Sequence, residues 1–273
     1  MKENFIWKYA QLDFSGTAWR VFAPSKVIVL VHGIGEHVGR YNEMAQYFNQ
    51  HNYDVIGIDH YGHGRSPGKK GASKGFEFAF NYLGAFIDYV QNSYNKPIIL
   101  YGHSMGGGIV TGFILKRNSP IEAAIISSPA LLTYKKIGYF QQKALAVLNY
   151  IIPHIRIEQG LDLQKSSHDP KSISAFESDP LNHSKMSIRL IYTMIKNGFW
   201  CLKYPQRLRV PTYLFHGDAD EFTSVQGSRL FASKASSNLL TYREWPGGYH
   251  ELHNEPNKNE VFDAILAWLA SLK

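Results

Sequence analysis

Gly102-His103-Ser104-Met105-Gly106-Gly107, residues 102–107, joins the apolar run 98–101 to a segment of helical spacing, 106–117. A serine on so tight a strand-to-helix turn needs small neighbours, because the backbone crowds itself there, and Gly102 and Gly106 meet that need. The turn exposes Oγ and points the first amides of the next helix at any oxyanion that forms beside it. Ser104 is therefore the candidate nucleophile, against the plainer reading of a glycine-rich loop that only packs a helix on a sheet.

Moving outward, the runs 27–31, 55–58, 123–127 and 212–215 have the length and β-branched content of buried parallel strands. Segments of helical spacing follow the first two, at 41–50 and 77–93. Strand and helix alternating in this way predict a mostly parallel central sheet with helices on both faces. Residues 5–14 and 17–22 read as an antiparallel edge pair, 239–245 as a further strand, and 259–272 as a docked final helix. The alternation breaks between 131 and 205, where 139–152 is mostly apolar, 187–200 is amphipathic, and Pro153, Pro170, Pro180 and Pro205 punctuate. The expected organisation is an α/β core of residues 1–130 and 206–273, with 131–205 inserted as a helical cap.

A serine hydroxyl needs a base, and the base needs an orienting carboxylate; in folds of this kind they follow in the order Ser, Asp, His. After the strand at 212–215 comes His216-Gly217-Asp218-Ala219-Asp220-Glu221, which offers Asp218 and Asp220 at a carboxyl strand end. After 239–245 comes Gly247-Gly248-Tyr249-His250-Glu251-Leu252-His253. His250 is the better base, because the glycine pair lets its loop fold over the sheet edge, and His253 is the fallback. A further stretch, His32-Gly33-Ile34-Gly35-Glu36-His37, follows the strand at 27–31, where such folds supply the second oxyanion amide. The backbone N–H groups of Ile34 and Met105 are expected to converge on the substrate carbonyl. His32, Glu36 and His37 lack the helical spacing of a zinc protease motif, so no metal is expected.

Taken together, HGIGEHVGRY at 32–41, DHYGHGRSPG at 59–68, GHSMGG at 102–107, ISSPAL at 126–131, SDPL at 178–181, HGDADE at 216–221 and YHELHNE at 249–255 resemble the α/β-hydrolases of the monoacylglycerol lipase and lysophospholipase group. The resemblance covers nearly the whole chain. It implies Asp220, rather than Asp218, as the third member of the triad, and a cap that acts as a lid over an acyl-binding tunnel. It implies hydrolysis of a lipid ester through an acyl-enzyme, with no cofactor. The enzyme alternatives are a general carboxylesterase or a lysophospholipase, and the alternative of another class is a ligand-binding protein on the same fold. Many relatives carry tyrosine two residues before SDPL, and this chain has Phe176, which offers no hydroxyl to a glycerol head group. Glu36, His37 and Arg40 supply polarity suited to a small hydroxylated leaving group.

The 273 residues are 44% hydrophobic and 19% charged, enough to bury a sizeable core. Lys and Arg number 29 against 22 Asp and Glu, a net charge of +7. The basic residues are scattered, with short pairs such as Lys69-Lys70 and Lys135-Lys136 and no zinc-finger or RNP-type motif, so no nucleic-acid partner is expected. The single cysteine, Cys201, excludes an internal disulfide framework. The first sixteen residues mix charge and polarity where a signal peptide needs an apolar stretch, and no run approaches the roughly 20 apolar residues of a membrane span. The expected compartment is the cytoplasm. Lys135, Lys136 and Lys143 beside Leu145, Val147, Leu148, Ile151 and Ile152 give the cap a basic amphipathic face suited to transient contact with a membrane surface.

Overall fold

Ten strands and eight helices are found among residues 1–272, which are those described by the structure, a computed structural model. In chain order the strands are β1 (Lys2–Tyr9), β2 (Leu12–Trp19), β3 (Lys26–Val31), β4 (Tyr53–Ile58), β5 (Ile98–His103), β6 (Ala123–Ser127), β7 (Arg156–Glu158), β8 (Lys185–Ser187), β9 (Thr212–Gly217) and β10 (Leu240–Trp245). The helices are α1 (Asn42–Gln50), α2 (Phe76–Tyr94), α3 (Met105–Lys116), α4 (Tyr139–Ile151), α5 (Pro170–Ser178), α6 (Ile188–Lys203), α7 (Val225–Ala232) and α8 (Lys258–Ser271).

The main sheet runs β1-β2-β4-β3-β5-β6-β9-β10, parallel from β4 to β10 and antiparallel at β1–β2 and β2–β4. Period-two alternation sends Val27, Val29 and Val31 of β3 to one face with Phe80, Val110 and Phe113 of α2 and α3. Ile28 and Leu30 go to the other, with Phe48 of α1 and Phe262 and Ile265 of α8. Because β4 and β5 flank β3, the chain reverses its direction across the sheet at β3. The loops leaving β3 and β5 therefore part and leave a crevice at their carboxyl ends, the usual ligand position in open α/β sheets.

Two expectations need correcting. The N-terminal hairpin turns at Ala10 and Gln11, both with positive φ (47° and 61°), and not near residue 15. Gly16 is interior to β2 opposite Phe5, whose ring lies where a Cβ would stand, 2.3 Å from it. Between β6 and β9 the chain is not purely helical, since β7 and β8 form a two-stranded antiparallel pair within it. The α6 helix lies against α3, with Asn197 Nδ2 donating to the Gly108 carbonyl at 2.8 Å. The α4 helix has no buried residue and exposes Tyr139, Phe140, Val147, Tyr150 and Ile151.

Candidate active site

Ser104 sits between β5 and α3 with φ 54° and ψ −117°, a conformation unfavourable for any residue but glycine. The surroundings hold it there. Its N–H donates to the Ser127 carbonyl at 3.0 Å, and its own carbonyl accepts from the Gly108 and Ala130 amides, each at 2.9 Å. A side chain at Gly106 would stand 2.0 Å from the Val31 carbonyl oxygen, so only glycine lets α3 start this close to β3. Met105, the first residue of α3, and Ile34, on the loop after β3, donate their amides to no protein carbonyl outside the regular elements among the described residues.

Asp220 and His250 meet at the carboxyl ends of β9 and β10. His250 Nδ1–H donates to Asp220 Oδ2 at 2.7 Å, which leaves Nε2 as the basic nitrogen. Asp220 Oδ1 accepts from the amides of Phe222 (2.7 Å) and Thr223 (3.0 Å). Burial disfavours the Asp220 charge, but His250 and His216 outweigh it and hold the carboxyl well below the usual range. Burial likewise opposes protonation of His250, and the Asp220 carboxylate outweighs it and raises the imidazole above its ordinary value. Asp218 instead accepts from the Gly247 amide at 2.7 Å and so ties the β9 loop to the loop bearing His250. Among the described residues His253 is buried without a hydrogen bond to either ring nitrogen, stacked on Tyr41, and burial pushes it down to about 3. No hydrogen bond joins Ser104 to His250 among the described residues, although both line one cavity.

Glu36 and Arg40 belong to a buried ionic bridge. Glu36 Oε1 accepts from the Gly33 amide (2.5 Å) and the Tyr41 hydroxyl (2.6 Å), and its Oε2 accepts from Arg40 (2.5 Å). Arg40 also donates to both oxygens of Glu251, at 3.0 and 2.8 Å. The loop preceding the Ile34 amide is thereby joined to the residue following His250. Burial raises the Glu36 carboxyl, whereas Arg40 overrides burial at Glu251 and holds it at about 2. His37 donates from Nε2 to Asp179 at 2.9 Å and accepts the Gly39 amide at Nδ1. Phe176 lies with its ring 4.7 Å from the Arg40 guanidinium.

The cavity holding Ser104 and His250 has a volume of about 710 Å³, and its surface is mainly apolar, with Leu131, Ile191, Met194, Ile195 and Phe199 among the lining residues. Glu36 and Phe176 are among its lining residues, and His37 and Arg40 are not. Among the described residues, no group of three or more His, Cys, Asp or Glu is placed to hold a metal ion, and no helix is long and apolar enough to cross a membrane. Sequence reasoning did not assign His216, Thr223 or Glu251, each of which has a partner on another element, in turn Ser228, the Ser128 carbonyl and Arg40. The one available signal was the position of His216 at the head of the Asp-bearing turn.

The family model described as serine aminopeptidase, S33, matches residues 23–257. A monoacylglycerol lipase of Mycolicibacterium smegmatis is 33% identical over 253 residues, covering 91% of this chain and 89% of that protein. The phospholipase YtpA of Bacillus subtilis is 29% identical over 252 residues, covering 92% and 97%. The crystal structure of a monoacylglycerol lipase from Paleococcus ferrophilus superposes with a TM-score of 0.87 at 31% identity, covering 95% of this chain and 99% of that one.

Proposed function

The chain belongs to the serine aminopeptidase S33 family and is a serine hydrolase of lipid esters, and we propose that its substrate is a monoacylglycerol, cleaved by Ser104, His250 and Asp220. The observation that carries this reading is the Asp220–His250 pair beside Ser104 at a largely apolar cavity. Ser104 Oγ attacks the ester carbonyl while His250 Nε2 takes its proton, and the Ile34 and Met105 amides hold the oxyanion. His250 then protonates the departing glycerol oxygen. Water, deprotonated by His250, releases the fatty acid and restores Ser104.

Residues 131–205 act as a lid in this reading, with the acyl chain among the apolar side chains that α6 sends into the cavity. The enzyme works in the cytoplasm, and the exposed apolar residues of α4, with Lys135, Lys136 and Lys143 beside them, rest transiently on a lipid surface. Lysophospholipid or simple-ester hydrolysis is the second reading. It is favoured by Phe176, which gives no hydroxyl to a glycerol head group, and by the likeness to a phospholipase.

Kinetics on glycerol, methyl and lysophosphatidyl esters of matched chain length test both. Each buried methylene contributes up to about 0.8 kcal/mol, so kcat/KM is expected to rise with acyl length until the cavity is filled. Glycerol is expected to be favoured over methanol by about tenfold, one hydrogen bond's worth. If acetyl or butyryl esters prove best in every series, the lipid reading gives way to a short-chain esterase.

A further inference from the structure

Asp220 Oδ2 is shared by two imidazoles. Besides His250 Nδ1 at 2.7 Å it accepts from His216 Nε2 at 3.0 Å and from the Thr223 hydroxyl at 2.9 Å. His216 is the fifth residue of β9. Alternation along that strand sends Tyr213 and Phe215 to the α1/α8 face, and Leu214 and His216 to the opposite one, where α7 packs. There the Ser228 hydroxyl on α7 meets His216 Nδ1 at 2.7 Å. With Ser228 donating to Nδ1, the ring proton is on Nε2, so His216 presents a fixed N–H to the carboxylate. The ring is wholly buried in a position where an apolar residue would pack without needing partners.

We propose that His216 is a positioning residue that competes with His250 for Asp220 Oδ2 and thereby sets how strongly the carboxylate holds the His250 proton. A carboxylate oxygen divided among three donors is a weaker acceptor for each. His250 is thus kept from becoming so basic that it stays protonated, and unable to activate Ser104, near neutral pH. This inference rests on the triad assigned above. The other titratable groups around His250 are His103, its ring 4.7 Å away, and His253, Glu36 and Glu251; those facing His216 are His103 and Glu244, its partner across β9 and β10, and none of these touches His216 through a side-chain hydrogen bond among the described residues.

The test is the acid limb of kcat/KM against pH, which reports the free enzyme's base. His216→Phe removes the donor and is expected to move the limb upward by about half a unit to one unit, the effect of one hydrogen bond. His216→Gln, whose side-chain amide can still donate, is expected to return the limb toward wild type. A purely structural role gives the opposite sign, because a displaced Asp220 would lose His250 and the limb would move down. An unmoved or lowered limb in His216→Phe overturns the proposal. If that variant does not fold, Ser228→Ala, which frees the ring to change tautomer, replaces it with a smaller upward shift expected and no shift as the refutation. Ser104→Ala is run alongside. Near-normal turnover there sinks the serine-hydrolase reading itself, whereas an inactive Ser104→Ala with an unmoved limb sinks only the role of His216.

Discussion

Asp218 and Asp220 stand on one turn, yet only Asp220 points inward, where it accepts from two imidazoles, one hydroxyl and two amides. Asp218 is exposed and accepts from Gly247. Asp220→Asn places an amide NH₂ or a weakened acceptor against His250, so the imidazole loses its orienting partner. The comparable change in a serine protease costs about ten-thousandfold in kcat, and a loss of that order is expected here. Asp218→Asn removes at most one exposed hydrogen bond and is expected to cost about tenfold or less. Measuring both on one ester checks the assignment, and a reversed ranking would move the triad acid to Asp218. At this scale the candidate nucleophile, the candidate base and a pair of candidate acids were legible as proposals, because each sits close to glycines at the carboxyl end of a strand. His216 was not. Its role depends on Ser228 of α7, which no spacing along the chain connects to it.

Among elements, the loop after β3 and the loop after β10 are joined through the Arg40 guanidinium, which bonds Glu36 on one and Glu251 on the other. The Arg40 side chain is 9% exposed, between those of Glu36 at 3% and Glu251 at 8%. Removing the cation leaves two buried carboxylates facing one another, and breaking such a buried pair costs about 3 to 5 kcal/mol. Arg40→Met is expected to lose that much stability in urea unfolding and, where it still folds, to lower kcat more than it raises KM, since the Ile34 amide and His250 lose their common anchor. A fully stable, fully active variant would remove the bridge from the account. Glu36 and Arg40 were visible in HGIGEHVGRY but read as substrate polarity, and Glu251 in YHELHNE was given no role, because nothing in either stretch shows that Arg40 is already occupied. The same limit misplaced the hairpin turn. Gly16 reads as a break, whereas its missing side chain makes room for Phe5 across the strand pair, and Ala10-Gln11 carries none of the usual Asn-Gly turn chemistry. The β7–β8 pair, three residues on each side, is too short to show a period.

Across the whole molecule, acid is the expected weakness. His32, His60, His63, His103 and His253 are all buried, and burial lowers each of them, His60 to about 4 and His253 to about 3. In the unfolded chain each titrates near 6.5. Below that pH the unfolded state binds protons that the folded state refuses, so stability present above about 6.5 is lost as pH falls toward 4 and then 3. The limiting slope is about 1.4 kcal/mol per histidine per pH unit. Asp220, held low, adds to the loss at still lower pH, while His250, held high, contributes in the opposite sense, its stability being present at low pH and lost as pH rises. With His183, which burial also lowers, six imidazoles stand against one, which gives a net acid-labile fold, and Tm is expected to fall steadily from pH 7 to pH 4.5. His253 tests the cause. Its ring stacks on Tyr41 at 4.7 Å, and neither nitrogen has a partner among the described residues, so His253→Phe keeps the stacking and removes one proton site. That variant is expected to retain esterase activity, since the proposed base is His250, and to show a shallower decline of Tm with acid than the wild type. Loss of activity in a well-folded His253→Phe would reopen the choice of base, and an unchanged slope would show that His253 does not share in the acid transition.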